Sequence, residues 1–478
     1  MNNIADSSET QLIVIGGGPG GYAAAFHAAD KGMKVMLIDA AKKPGGTCLH
    51  VGCIPSKALL HTAKMMTDVR DAAELGLHFE KPRIDLDGVR NHWMKIVTTL
   101  ANNLLAMCKT RGVEYVNARA TFVDSHTIQL DNGARHRFQH CILATGSSPA
   151  RPPMLSLESP RVMDSTAALK LEELPKKLLV VGGGYIGLEL GYVYAALGSE
   201  VTVVELTNSL LPGADPDLVR PLKKRLDKLF HKIILNAKVV KLAEVNKAIQ
   251  VTLEGEEVTE KEQTFDRVLV AVGRSPNSKN LGLENTKVQV ERGFVQVDEQ
   301  RRTADEAIYA IGDVAGEPML AHKATYEGKV AVEAILGEHA AFDVRAIPAV
   351  VFTDPEIAWC GLMEHEAKRD GREVKTAIFP WAASGRAATL GRQEGLTKLV
   401  IDPETDSILG VGIVGIEAGE LIGEGVLAVE MGASAGDLSL SMHPHPTLTE
   451  TLMEAGELAH GNATHFMAKR RQAAAAKT

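Results

Sequence analysis

The chain reads as an α/β protein: two Rossmann-like dinucleotide-binding units of the same design, then a C-terminal α+β domain. Three observations predict this. A strand, glycine-rich turn, helix, strand and acid follow one another twice with matched spacing. Each copy is followed by a further apolar strand that ends in a small-residue turn. From about Ala346 onward the fingerprint is absent, and short strand-like segments mix with helical ones. At 478 residues the chain has room for roughly three domains.

The first unit opens with an apolar strand, Gln11 to Ile15. The turn Gly16-Gly17-Gly18-Pro19-Gly20-Gly21 fits G-x-G-x-x-G at Gly16, Gly18 and Gly21. An Ala-rich helix, Tyr22 to Lys31, stops at Gly32, a helix-ending signal. The strand Lys34 to Ile38 ends at Asp39. In the second unit the strand is Leu178 to Val181, and the fingerprint glycines are Gly182, Gly184 and Gly187. The helix Leu188 to Leu197 stops at Gly198, and the strand Val201 to Val204 ends at Glu205. In both copies the acid follows the first glycine by 23 residues (16 to 39, 182 to 205), and one such motif is weak where a matched pair is strong. Cys141-Ile142-Leu143-Ala144-Thr145-Gly146 closes the first unit, and Val268 to Val272 with Gly273 closes the second. Ile308 to Asp313 is another strand ending in an acid. In the last domain Ala349 to Thr353, Thr397 to Ile401 and Gly410 to Val414 read as strands, and Glu417 to Met431 and Thr449 to His460 as helices. The domain expectation is therefore 1–150 and 275–345 for the first unit and a central return to it, 151–274 for the second, and 346–470 for the last domain. Residues 1–9 are expected to fray and 471–478 to form a tail.

A net charge of −8 argues against nucleic acid as a partner and suits docking onto a basic protein module. No apolar stretch approaches the ~20 residues that span a bilayer. Asp6 and Glu9 stand where a signal peptide would be basic and then apolar, so a cytoplasmic protein is expected. Five cysteines make no structural disulfide framework, and Cys108, Cys141 and Cys360 lie in apolar surroundings as core thiols. No zinc or iron–sulfur ligand spacing occurs, and no metal is expected.

In each fingerprint the glycines admit a pyrophosphate to the backbone, and the helix N-terminus supplies free N–H groups. Asp39 and Glu205 stand where a carboxylate accepts hydrogen bonds from a ribose diol; the alternative for either is a solvated loop residue. A carboxylate at Glu205 repels a 2′-phosphate, and no Lys or Arg follows before Arg220, so NAD is favoured over NADP.

Between the units lies Gly45-Gly46-Thr47-Cys48-Leu49-His50-Val51-Gly52-Cys53-Ile54-Pro55-Ser56-Lys57. Five residues of regular helix rise about 7.5 Å, beyond the ~6.8 Å limit for bridged Cα atoms. A Cys48–Cys53 bridge therefore needs a distorted turn, which Gly52 permits. Pro55 opens a helical run that puts Cys53 at a helix N-terminus, where the dipole stabilises a thiolate. A thiol pair beside one nucleotide site, with a second site downstream, is equipment for moving electrons between a nicotinamide and a disulfide; the alternative is two inert core thiols. Lys57, one turn on, reaches the same site or is a surface lysine. The segment His443-Pro444-His445-Pro446-Thr447-Leu448-Thr449-Glu450 pairs a histidine with a carboxylate, as a base that collects thiol protons requires. Its last four residues also form a capping box, so Glu450 has two readings.

Several segments together resemble the dihydrolipoyl dehydrogenase family, from about residue 11 to about 465. They are GGTCLHVGCIPSK (45–57), GGGYIGLELG (182–191), AIGDV (310–314), MLAHKA (319–324), TDPEIAW (353–359), FPWAASGRA (379–387) and HPTLTE (445–450). The resemblance implies FAD on the first unit and NAD on the second. Asp39 would hold the FAD adenosine half, Asp313 the ribityl part, Met319, Leu320, Ala321 and His322 the flavin ring, and Lys57 its N5 side. Thr145, Gly146, Ser147, Glu189, Val239 and Gly273 complete the implied cofactor contacts. Cys53 would face the flavin and Cys48 would exchange with substrate. His445, paired with Glu450, would be the acid–base catalyst, chosen over His443 because the family pattern is His-Pro-Thr with Glu five residues after the His. In the family this histidine serves the partner subunit's cysteines, so a homodimer is implied. The partners implied are the lipoyl domain and peripheral subunit-binding domain of a dihydrolipoyl acyltransferase core, or the glycine cleavage H protein. The alternatives on this scaffold are a glutathione-reductase-like or mercuric-reductase-like enzyme and a non-catalytic assembly subunit. Glu205 opposes the first, the lack of any cysteine after Cys360 the second, and retention of Cys48, Cys53, Lys57 and His445 the third.

Overall fold

The computed structural model describes residues 9–467, so the expected fray at residues 1–9, Glu9 apart, and the tail at 471–478 lie outside the described residues. Apolar runs with both faces buried make parallel strands, and Thr10–Ile15 and Val35–Asp39 are of this kind. The first sheet runs Glu114–Asn117, Val35–Asp39, Thr10–Ile15, Arg135–Leu143, all parallel. Arg135–Leu143 then pairs with Ile308–Ala310 at its C-terminal half and with the hairpin Ala120–Asp124 and Thr127–Leu130 at its start. The chain thus returns to the first sheet after the second is complete, which brings Asp313 beside the first fingerprint.

The second sheet repeats the arrangement. Its parallel order is Lys232–Ile234, Glu200–Val204, Lys177–Val181, Arg267–Val270, Val162–Met163. In each unit the fingerprint strand lies between the acid-bearing strand and the closing strand, as the repeat predicts. The fingerprint helices, Pro19–Asp30 and Tyr185–Leu197, start three residues earlier than expected, because each glycine turn runs directly into its helix. Two long helices, Cys53–Asp71 and Leu86–Thr110, follow the cysteine segment and were not expected at that length. No helix among the described residues is long and apolar enough to cross a membrane.

The C-terminal sheet is antiparallel, in the order Ala349–Val351, Glu356–Gly361, Ile408–Gly415, Leu396–Ile401, Lys375–Pro380. Helices Ala418–Glu430 and Glu450–His460 pack on it. Trp381 is fully buried and fixes the second of these helices. Its indole Nε1 donates to Thr397 Oγ1 (3.0 Å), Thr397 donates to Thr451 Oγ1 (2.8 Å), and Thr451 donates to the Leu448 carbonyl (2.7 Å). This hydroxyl chain ties the sheet to the turn that carries Glu450.

A buried ion cluster clasps the second unit to the C-terminal sheet. Lys398, 1% exposed, holds Asp215 (3.0 Å), Asp217 (2.8 Å) and Glu364 (2.5 Å). Asp215 also accepts from the His365 N–H (2.9 Å) and Nδ1 (2.8 Å). Removing one partner of a buried pair costs roughly 3–5 kcal/mol. Lys398→Met should fall at the low end, because Asp217 and Glu364 remain 22% and 24% exposed and turn to water. The loss is read as a lower urea midpoint for unfolding.

Candidate active site

The first glycine of each fingerprint has a left-handed backbone, φ +111 at Gly16 and +109 at Gly182. A Cβ at Gly16 would stand 2.2 Å from the Ala144 oxygen, and one at Gly182 would stand 2.4 Å from that of Ala271. The third glycines, Gly21 and Gly187, press equally hard on the carbonyls of Gly16 and Gly182 (1.7 and 2.2 Å). The strand-to-helix turn is thus closed by the strand that the sequence assigns to finish each unit. Asp39 accepts from the N–H groups of Gly17 (2.5 Å) and Ala41 (2.6 Å). Glu205 mirrors it, accepting from the Gly183 N–H (2.6 Å) and from the Thr207 N–H and Oγ1 (both 2.8 Å). Both acids are held at the mouths of their turns rather than loose in solvent.

A cavity of about 1860 Å³ runs from the first fingerprint to the cysteines. That is roughly twice the upper range for an ordinary small-molecule pocket, as an extended dinucleotide requires. Gly16, Gly18 and Asp39 line one end, and Cys48, Cys53, Lys57 and Glu189 line the other. Thr145, Gly146, Ser147, Asp313, Met319 and Ala321 line the middle. Asp313 accepts from Ser147 Oγ (2.5 Å).

The cysteine segment folds as the geometry demands. Helix Gly46–Val51 ends at Gly52 (φ −145, ψ −113), and a new helix starts at Cys53. Neither cysteine is bridged, and a hydrogen bond couples the ionisation of the Cys48 and Cys53 sulfurs. That hydrogen bond, helped by the Lys57 ammonium and opposed by burial and Glu189, pushes Cys53 down to about 7. The same bond, with burial, pushes Cys48 up. The two sulfurs are thus driven apart, Cys53 toward the thiolate and Cys48 toward the thiol. Lys57 is not a surface lysine: its Nζ bonds Glu189 at 2.8 Å and lies 4.4 Å from the Phe352 ring centroid. The Phe352 N–H also donates to Glu189 (3.0 Å), so the C-terminal domain clamps the pair.

His445 Nδ1 lies 2.8 Å from Glu450 Oε1, and Glu450 Oε2 accepts from the Thr447 N–H (2.7 Å). The helix starts at Glu450 itself, after Thr449, so the expected capping box from Thr447 does not form; Glu450 instead holds the Thr447 N–H with one oxygen and His445 with the other. Burial would raise the Glu450 carboxyl, but the Thr447 N–H and His445 outweigh it and hold it below the usual range. His445 is 70% exposed, and its Nε2 has no partner among the described residues. His443 has both ring nitrogens engaged, with Ser441 O and Glu424 Oε1 (each 2.8 Å), so neither is turned outward to a substrate. His445 and Glu450 do not line the cavity of their own chain.

The side chains of three implied contacts do not line this cavity. Val239 is a core residue, 3% exposed, packed among the apolar side chains of the second unit. His322 faces the Pro348 carbonyl (2.7 Å), and Leu320 caps the following helix, so neither side chain lines the cavity. Cys108, Cys141 and Cys360 are buried core thiols, as expected. Two positioning groups escaped the sequence. Arg274 donates to Ser147 Oγ and O (both 2.7 Å), setting the hydroxyl that meets Asp313. Glu327, fully buried, accepts from the Gly312 N–H (2.6 Å) while Lys323 (2.9 Å) and Arg301 (3.0 Å) neutralise it. An acid facing inward on a helix otherwise lined by small apolar residues was the available signal.

A close cysteine pair at the end of a dinucleotide-sized cavity, with a second dinucleotide fold beside it, defines a nucleotide-linked thiol–disulfide oxidoreductase. Comparison with known proteins agrees. The pyridine nucleotide-disulphide oxidoreductase profile matches residues 10–328, and its dimerisation-domain profile matches 347–456. The chain belongs to the pyridine nucleotide-disulphide oxidoreductase family and, within it, to the dihydrolipoyl dehydrogenases. It is 46% identical to the dihydrolipoyl dehydrogenase of Haemophilus influenzae over 95% of this chain and 96% of that one. The Vibrio cholerae dihydrolipoyl dehydrogenase is 44% identical over 95% and 97%. The crystal structure of LpdA from Mycobacterium tuberculosis matches with a TM-score of 0.86 at 28% identity, covering 94% and 99%.

Proposed function

We propose that this protein oxidises protein-bound dihydrolipoamide to lipoamide while reducing NAD⁺ to NADH, as a homodimer working with the acyltransferase core of 2-oxo acid dehydrogenase complexes or with the glycine cleavage system in the cytoplasm. The observation that carries the reading is the Cys48–Cys53 pair with its split thiol character beside Lys57 and Glu189. FAD fits the long cavity, with Gly16, Gly18 and Asp39 at its adenosine end and Asp313, Ser147 and Lys57 toward the thiols; when bound it supplies the electron relay between dithiol and nicotinamide. NAD fits the second fingerprint, with Glu205 on the ribose.

The protein's own residues do the thiol chemistry. In the oxidised state a substrate thiolate attacks the Cys48 sulfur of the Cys48–Cys53 bridge, and the Cys53 sulfur leaves as a thiolate. The second substrate thiol then attacks the mixed disulfide, forming the lipoamide disulfide and releasing Cys48. His445 of the partner subunit takes the proton from each attacking thiol in turn, passing the first to solvent and the second to the departing Cys48 sulfur, so two electrons and one bound proton stay on the pair. In that product the thiolate falls on Cys53, the sulfur whose ionisation the site favours. Glu450 keeps the His445 Nδ1–H engaged, so Nε2 is the accepting atom. Lys57 balances the Cys53 charge, and Glu189 keeps Lys57 in place.

The test is a steady-state assay with free dihydrolipoamide, glutathione and a reduced lipoyl domain, each with NAD⁺ or NADP⁺. NADH formation from the lipoyl substrates supports the reading, and turnover confined to glutathione with NADP(H) overturns it. NAD⁺ should be preferred over NADP⁺ by at least about 10²-fold, and Glu205→Ala should narrow the ratio about tenfold by weakening NAD⁺. An unchanged ratio removes Glu205 from cofactor choice.

A further inference from the structure

Helix Glu450–His460 carries three acids, Glu450, Glu454 and Glu457, at i, i+4 and i+7, which is one helical face. Left alone, such a stripe repels itself and overstabilises any cation at its N-terminal end. The chain answers by doubling back along that face. Gly461, φ +76, ends the helix in a left-handed turn. Thr464 then donates its N–H to Glu457 (3.1 Å), and His465 donates its N–H to Glu454 (3.3 Å). The His465 ring places Nδ1 2.5 Å from Glu454 Oε1. Phe466 packs edge-on to Phe379 of the sheet (6.5 Å between centroids) and locks the return segment down. Glu454 is 3% exposed, so its charge is committed to His465. One turn toward the N-terminus sits Glu450, already bound to His445.

We propose that His465 is a positioning residue of the reaction: fixed on Glu454, it sets a compensating positive charge beside the His445–Glu450 pair and keeps His445 in its proton-accepting form. The proposal rests on the reading of His445 as the base. The electrostatics agree in direction. Glu454, through its hydrogen bond, and then Glu450 and Glu457 raise His465 above its ordinary value, while the His465 charge helps to lower Glu450. Other charged groups near the helix are already engaged. His460 pairs with Asp406 (3.2 Å) from the turn after Leu396–Ile401, and Lys398 of that strand points into Asp215, Asp217 and Glu364. On the helix that precedes it, Asp437 is taken by the N–H and hydroxyl of Ser434 (2.8 Å each). Lys375 lies at the start of the edge strand on which this helix packs, with its side chain exposed.

The experiment is the pH profile of kcat/KM for dihydrolipoamide in the FAD-loaded dimer, for wild type, His465→Gln, His465→Lys, the double variant Glu454→Gln/His465→Gln and His445→Gln. Glutamine keeps a donor to Glu454 but removes the charge. Through solvent, losing a nearby unit charge changes a protonation equilibrium by a few tenths of a pH unit. The acid limb should therefore move up by a few tenths of a unit in His465→Gln. It should stay put in His465→Lys and return in the double variant, which removes both charges. A merely structural role would lower the rate without moving the limb, and would leave lysine worse than glutamine. An unmoved limb in a folded His465→Gln enzyme overturns the proposal; should that variant not fold, His465→Asn carries the same test. An acid limb that keeps its wild-type position in His445→Gln overturns the base assignment itself, whereas a limb displaced there to the ionisation of the substrate thiol but unmoved in His465→Gln overturns this inference alone.

Discussion

Cys53→Ser is expected to stop dihydrolipoamide oxidation, lowering kcat by at least about 10⁴-fold to the assay floor. A hydroxyl neither bridges to Cys48 nor leaves as a stable anion near neutral pH, so no substitute path exists. The loss should be selective. NADH-dependent reduction of an artificial dye bypasses the thiols and should persist, because Asp39, Glu205 and both fingerprints are untouched. The structure adds a sharper expectation. Cys53 is brought down to about 7 first by the hydrogen bond from Cys48 and then by Lys57. A Cys48→Ser protein retains a hydroxyl donor and Lys57, so its Cys53 should still titrate below an ordinary thiol, with the thiolate gained as pH rises through that lowered value. Measured by thiolate absorbance, an ordinary thiol titration would remove the cavity's electrostatics from the account, and undiminished lipoamide turnover in either cysteine variant would remove the mechanism.

His445→Gln should lower lipoamide turnover by about 10²–10⁴-fold, the usual contribution of a placed acid–base group. Glutamine still donates to Glu450, so the turn 445–450 and the hydroxyl chain from Trp381 to Leu448 keep their form. KM should change little while kcat falls, and the residual rate should rise with pH as substrate thiols ionise unaided. His443→Gln is the matched control, since both His443 nitrogens are engaged with Ser441 and Glu424. A large loss at His443 with little at His445 would reverse the assignment. Because His445 does not line the cavity of its own chain, mixing Cys48→Ser and His445→Gln subunits should restore part of the activity through heterodimers that keep one intact site.

The parts of this site that were legible in the sequence are those fixed by local geometry. Glycine spacing sets a turn that only glycine can make, so both fingerprints and their acids could be placed from the residues alone. The break at Gly52 follows from helix rise, and the double role of Glu450 follows from the spacing of the histidine turn. What was illegible depends on distant chain. Glu327 is one acid among many until Arg301, Lys323 and the Gly312 N–H surround it. Phe352 becomes part of the site only because the third sheet packs over Lys57. Val239 turns its side chain into the core by strand alternation, which leaves its backbone as the part that can meet a cofactor. The helix Leu86–Thr110 is a different case. Val89, Trp93, Val97, Ala101, Leu104 and Cys108 recur at helical spacing and signal it, but glycine and cysteine motifs say nothing about such a segment.

The most direct test of the central claim is an anaerobic titration of the FAD-loaded protein with dihydrolipoamide, followed by addition of NAD⁺. The account predicts a long-wavelength absorbance band as the Cys53 thiolate forms against the flavin, absent in Cys53→Ser, and then stoichiometric NADH. A flavin spectrum unmoved by dihydrolipoamide, with the same band raised by NADPH, would contradict it.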